Sequence, residues 1–144
     1  MEWIKQGLTE WRKANSALQV VTESADGIFN QLWEEIKEIV VAAVRLGISL
    51  TTNGSPLSRV VVMADSSFGD RLPSDRKLTI VLAADRRSIV ASSDAGEMPL
   101  KIEVSPDGVV CLIYSDRPIT SRDAAKEIMQ KFIFKGDSPF RLRT

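Results

Sequence analysis

The sequence predicts one α+β domain. Its order is a long N-terminal helix (or two helices in succession), a mostly antiparallel sheet of four or five strands, and a C-terminal helix. Three observations predict it: helical spacing of apolar residues over 1–50, period-two β-branched runs over 57–116, and a capped amphipathic segment over 120–135. A length of 144 residues and a hydrophobic fraction of 44% suit a single domain, 1–144, with a short tail over 136–144.

The N-terminal third has one apolar row with a seven-residue repeat. A second row follows four residues behind the first, which places both rows on one side of a helix. The second row is polar at Asn15 and Thr22, so the stripe is weakest between about 12 and 27. The first row comprises Ile4, Trp11, Leu18, Ala25, Leu32, Ile39 and Leu46; the second comprises Leu8, Asn15, Thr22, Phe29, Ile36, Ala43 and Leu50.

Two interpretations of residues 1–50 compete. In the first, a single helix runs from about 3 to 47, because a turn would usually reset a heptad that here keeps its phase. In the second, one helix ends near 20–22 and another begins near 25–27, since the segment Thr22–Gly27 is rich in capping and turn residues. A glycine inside a helix costs about 1 kcal/mol relative to alanine. The unbroken heptad favours the continuous helix, with or without a kink at 24–27.

The strands are predicted from β-branched and alternating runs at 59–64, 77–83, 88–92, 100–104 and 109–114, with 48–52 as a further short candidate. Residues 85–87 are typical of a turn. The segment Ser105-Pro106-Asp107-Gly108 is a strong hairpin signal. Because Val109 to Tyr114 is apolar at every position, it predicts a central strand covered on both faces. Tyr114-Ser115-Asp116-Arg117 is interpreted as a connection from strand to helix.

The C-terminal helix is predicted from Thr120 or Ser121 as its cap, with acidic residues early and lysines late. Its buried stripe is expected to comprise Ala124, Ala125, Ile128, Met129 and Phe132. Gly136 is expected to end it.

Composition excludes several classes of function. The chain has no histidine, which removes His-based catalysis and the common zinc and haem sites. The formal net charge is zero, which argues against nucleic-acid binding. The single cysteine, Cys111, is expected to be an inert core thiol. The sequence contains neither a signal pattern nor an apolar run near 20 residues, so we expect a cytoplasmic chain without a membrane partner.

The loop over 65–75 carries the candidate catalytic chemistry. Asp65, Asp70 and Asp75 are spaced by five residues and could converge on Mg²⁺ or Ca²⁺. The alternating acidic spacing of an EF-hand is absent, and a solvated loop explains the same residues. No cofactor and no catalytic residue is predicted. A divalent-metal-dependent or carboxylate-based enzyme centred on this loop remains one functional hypothesis.

Tryptophans on the N-terminal helix predict an interaction surface. Exposed aromatic side chains on an amphipathic helix often anchor protein interfaces, and a helix of about 65 Å would be longer than one small sheet can cover. The main hypothesis is therefore a non-enzymatic interaction module, of the chaperone, immunity or accessory type, that associates with itself or another protein. A small-ligand sensor is the third hypothesis. The predicted interface residues are Trp3, Trp11, Leu18, Leu32, Trp33 and Ile39.

Overall fold

The computed structural model describes residues 1–63 and 76–134 and has an α+β architecture. Within these residues, two helices and a seven-stranded sheet form the domain. In chain order the elements are α1 Glu2–Arg45, β1 Leu50–Ser55, β2 Ser58–Met63, β3 Arg76–Leu82, β4 Ser88–Ser93, β5 Gly96–Val104, β6 Val110–Tyr114, β7 Arg117–Ile119 and α2 Ser121–Ile133.

Helix α1 is continuous across the segment where the sequence left a break open. Its 44 residues correspond to about 66 Å of helix. Within Thr22–Gly27 the chain stays helical, and the Thr22 hydroxyl donates to the Leu18 carbonyl at 2.8 Å. The helix ends in a Schellman motif: Gly47 has φ +98° and Ile48 N–H donates to Ala43 at 3.0 Å. The in-phase heptad therefore predicted the continuous helix correctly.

The sheet is an antiparallel meander in which each strand pairs with the next in sequence. The predicted count of four or five strands was too low, because the patterns indicated β1 only as a short further candidate at 48–52 and missed β7. Strand β1 is exposed except at Leu50, and β7 has only three residues with a proline at its centre. Pro118 suits an edge, where its missing N–H removes no ladder hydrogen bond.

Two hairpin turns explain the register of the last strands. The predicted turn at 105–108 is confirmed: Gly108 has φ +81° and its N–H donates to the Ser105 carbonyl at 2.9 Å. The prediction for Tyr114–Arg117 was wrong, because Ser115 and Asp116 both have positive φ and form a tight turn between β6 and β7. Tyr114 and Arg117 are the closing pair of that hairpin.

Both helices pack on the same face of the sheet. Phe29 of α1 lies beneath the Arg59 guanidinium of β2, and Phe132 of α2 lies beneath the Arg76 guanidinium of β3. Register places Arg59, Val61 and Met63 on one face with Leu78, Ile80, Ala91 and Leu100, and this face forms the core with the helices. The expectation that β6 would be covered on both faces was wrong, since Cys111 and Ile113 on its other face are only half-buried.

Helix α2 closes the core as its sequence predicts. The Thr120 hydroxyl accepts from Asp123 N–H at 3.0 Å, and all five predicted stripe residues are buried. The helix ends at Ile133, two residues before the predicted boundary, and Gly136 lies outside the described residues. Arg76 fastens α2 to the sheet: it pairs with Asp94 at 2.7 and 3.0 Å and donates to the Phe132 carbonyl.

Candidate interaction surface

The first 20 residues of the chain extend beyond the part of α1 that packs on the sheet. Every residue from Met1 to Ala17 is exposed, Leu18 is half-buried, and Val21 is the first buried residue. We call residues 2–20 the overhang. It corresponds to about 28 Å of helix, close to half the length of α1. The long helix therefore supplies both a core element and a projecting arm.

Large apolar side chains are exposed on the overhang. Trp3 and Trp11 expose 75% and 62% of their surface, and Leu8 exposes 46%. Ile4 is 37% exposed. Isolated exposed apolar residues are ordinary on protein surfaces, whereas a contiguous set that includes two tryptophans is typical of an interface.

The exposed residues continue the stripe that forms the core farther along the helix. Trp11 and Leu18 precede Ala25 and Leu32 in the same seven-residue row, and Leu8 precedes Phe29 by three such repeats. Ala25 and Leu32 are 0% exposed and Phe29 is 1% exposed. One helix face thus changes from buried to exposed at about Val21.

The predicted interface residues divide between these two regions. Trp3 and Trp11 lie on the overhang, with Leu18 at its boundary. Leu32 and Trp33 lie within the core, and Ile39 packs against it, so the chain's own sheet and α2 occupy their surfaces. The predicted set omitted Ile4 and Leu8, which the heptad rows contain and which the structure places on the bare stripe.

A polar cleft lies between α1, the β1–β2 hairpin and the β3–β4 turn. Its guanidinium groups have partners from α1. Arg59 Nη2 donates to Asn30 Oδ1 at 3.2 Å, and Arg86 Nε lies 3.4 Å from Asp26 Oδ1. These contacts connect α1 to β2 and to the β3–β4 turn. The polar residues of the cleft therefore have a structural role.

The described residues neither test the enzyme hypothesis at its own aspartates nor offer another metal centre. Asp65, Asp70 and Asp75 lie outside the described residues. Over residues 1–63 and 76–134, no group of three or more Cys, Asp and Glu side chains could hold a metal ion. Cys111 is half-buried on the sheet face opposite the helices, and not in the core as the sequence predicted. The overhang is therefore the best-defined candidate site.

The length and polarity of the helices also bear on membranes. In the part of the chain that the structure describes, no helix combines the length and apolarity needed to cross a bilayer.

Comparison with known proteins gives no match: no family model, curated protein or solved structure matches this chain. Residue geometry and chemistry alone therefore support the function proposed for the overhang.

Proposed function

We propose that this chain is a non-enzymatic protein–protein interaction module that self-associates through the overhang of α1. The observation that carries the proposal is the bare stripe of residues 3–18, which prolongs the core stripe of the same helix. Burying Trp3 and Trp11 would remove about 270 Å² of apolar surface per copy, which is worth several kcal/mol before the costs of association. We therefore expect the exposed stripe of one copy to bind the same stripe of a second copy.

The composition of the overhang favours a protein partner over a lipid surface. Its charged residues are Glu2, Lys5, Glu10, Arg12 and Lys13, so acids and bases are interleaved. Helices that lie on membranes usually carry a strongly basic polar face. The zero net charge of the whole chain also leaves little long-range repulsion between copies.

The test compares the mass of the wild-type chain with that of Trp11→Glu by light scattering across a dilution series. The wild type is expected to exceed the monomer mass of 15.9 kDa at about 100 μM and to fall toward it on dilution. A glutamate at position 11 places a charge in the centre of the contact and should raise the dissociation constant at least about 100-fold. Its fold should be unchanged, because the exposed Trp11 is not part of the core.

The matched control is Lys13→Glu, two residues away and on the opposite side of the same helix. It also adds negative charge to an exposed position, but it leaves the apolar stripe intact. Its dissociation constant should stay within about threefold of the wild-type value. A wild-type chain that is monomeric at every concentration refutes the proposal, and so does a Trp11→Glu chain that associates like the wild type.

A further inference from the structure

The polar cleft beside α1 contains two arginine side chains that come from different parts of the sheet. Arg59 belongs to β2 and Arg86 to the β3–β4 turn, and both are half-buried in the wall of a cleft of about 680 Å³. Sites for small ligands usually have volumes of about 300–1,000 Å³. Among the described residues that line the cleft, two cations face the single carboxylate of Asp26, so the lining carries a net positive charge. The cleft therefore has the size and the charge to hold a small anion.

Contacts on two sides hold Arg59 in place. Its guanidinium lies 5.3 Å from the ring centre of Phe29, which is 1% exposed, and its Nη2 donates to Asn30 Oδ1 at 3.2 Å. On the side of the β1–β2 hairpin, a Cβ at Gly54 would lie 2.7 Å from Arg59 Cδ, so the backbone there packs directly against the arginine stem. A charged group that is already fixed by packing loses little side-chain entropy when it binds a ligand. Arg59 is therefore preorganised for binding.

The contact between Arg86 and Asp26 is weak enough for an anion to compete with it. Arg86 Nε lies 3.4 Å from Asp26 Oδ1, beyond the usual N–H···O range of about 2.7–3.2 Å, and the two side chains are 36% and 58% exposed. An ion pair this exposed contributes little to stability. Over residues 1–63 and 76–134, no other hydrogen bond or ion pair involves either guanidinium. Each guanidinium therefore keeps most of its N–H donors for a ligand.

Helix α1 sets the separation of the two guanidinium groups. Their anchors, Asp26 and Asn30, lie one turn apart on α1, and residues at that spacing have Cβ atoms about 6 Å apart. A phosphate group that accepts one hydrogen bond of about 2.8 Å from each arginine joins nitrogens at most about 8 Å apart. The planar fork of arginine also matches phosphate oxygens in pairs. The spacing of the anchors therefore allows one phosphate group to bridge both side chains.

We propose that this cleft binds the phosphate group of a small phosphorylated molecule, with Arg59 and Arg86 as the phosphate-binding residues. A carboxylate has fewer oxygens and less charge, so it would satisfy fewer of the available donors. The cleft has room for more than a phosphate ion, and the organic part of the ligand lies beside Pro56 and Leu57. Asp26 positions Arg86 and also competes with the phosphate for it. The site does not depend on self-association through the overhang.

Titration of the full chain with inorganic phosphate, phenyl phosphate or benzoate, followed by backbone amide signals in NMR spectra, tests the proposal. Sodium chloride keeps the ionic strength constant, so that general screening does not contribute. The signals of Gly54, Leu57 and Arg86 should shift, with a dissociation constant for phosphate on the order of 1 mM. Phenyl phosphate should bind at least about threefold more tightly than phosphate, because its ring buries apolar surface. Benzoate should bind at least about tenfold more weakly than phenyl phosphate.

Three substitutions separate phosphate binding from a purely structural role of the same residues. Arg86→Gln should raise the dissociation constant for phosphate at least about tenfold. The matched control is Arg87→Gln, at the adjacent exposed position outside the cleft lining, which should stay within about twofold of wild type. Asp26→Asn removes the competing carboxylate and should lower the dissociation constant about threefold, a gain that loss of a structural link would not produce. Urea denaturation checks that each variant is folded.

Four results would overturn the proposal. The first is the absence of amide shifts in the cleft at phosphate concentrations up to about 50 mM. The second is an equal loss of affinity in Arg86→Gln and Arg87→Gln, which would assign the binding to surface charge in general. The third is tighter binding of benzoate than of phenyl phosphate, and the fourth is weaker phosphate binding by Asp26→Asn. All four are independent of the mass of the chain in solution, so they are distinguishable from failure of self-association.

Discussion

The substitution Gly27→Ala tests the continuity of α1, on which the existence of the overhang depends. Gly27 lies in the middle of the helix, and a Cβ added there would meet nothing within 4 Å. Alanine is more favourable than glycine in a helix interior by about 0.8–1 kcal/mol, chiefly because glycine loses more backbone entropy on folding. We therefore expect the free energy of unfolding to rise by about that amount.

Urea denaturation at fixed protein concentration provides the assay. The midpoint should rise while the slope of the transition stays unchanged, and the melting temperature should increase by about 3 °C for a domain of this size. Gly108→Ala is the matched control, because its φ of +81° lies in the region that side chains disfavour. That control should lose about 1–2 kcal/mol.

A fall in the free energy of unfolding on Gly27→Ala would refute the continuous helix. If the chain turned at 22–27, Gly27 would lie at or near a cap, and alanine would be neutral or destabilising there. Ser24→Pro gives a second measurement: it should cost about 3 kcal/mol or more inside a continuous helix, but much less in the first turn of a new one. Only an unbroken α1 is expected to gain stability from Gly27→Ala and also to lose stability from Ser24→Pro.

Three further predictions concern the packing of the domain, each measured by urea denaturation. Arg76→Ala should cost about 2 kcal/mol, because Asp94 and the Phe132 carbonyl lose their donor, whereas the exposed neighbour Lys77→Ala should stay within about 0.5 kcal/mol of wild type; equal effects of the two would contradict the assigned role of Arg76. Thr120→Ala should cost about 1 kcal/mol through loss of the α2 cap, with Thr120→Ser close to wild type; an alanine variant as stable as wild type would exclude the cap. Gly54→Ala should also destabilise, since its Cβ would lie 2.7 Å from both the Ser58 carbonyl and Arg59 Cδ; unchanged stability would contradict the close approach of this hairpin.

The N-terminal helix shows both the reach and the limit of a hydrophobic pattern. A heptad that stays in phase through Thr22 favoured the continuous helix over two helices, and the structure contains the continuous helix. The same heptad treats Trp11 and Leu32 as equivalent, although one is 62% exposed and the other is 0% exposed. A hydrophobic repeat identifies the apolar face of a helix. It does not indicate which surface packs against that face. The predicted interface therefore mixed core residues with overhang residues.

The undercount of strands has a different physical origin. A central strand is recognised by alternation because one of its faces packs on the core over its whole length. Strand β1 has only Leu50 buried, and β7 contains Pro118 within three residues. Edge strands have one neighbouring strand and little burial, so they depend mainly on ladder hydrogen bonds between backbones, which leave little trace in the side-chain pattern. Side-chain patterns therefore indicated β1 only as a short candidate at 48–52 and missed β7.

Helix formation and association are expected to be coupled in the overhang. Gly7, Thr9, Asn15 and Ser16 are weak helix formers, and an exposed extension at the end of a helix gains no tertiary packing to offset them. In a single copy, we therefore expect the helix of this segment to be only marginally stable. Pairing adds burial of the apolar stripe, and part of that gain is spent on fixing the helix. The proposed interface should therefore be weaker than its area suggests, and dissociation should unfold part of the helix.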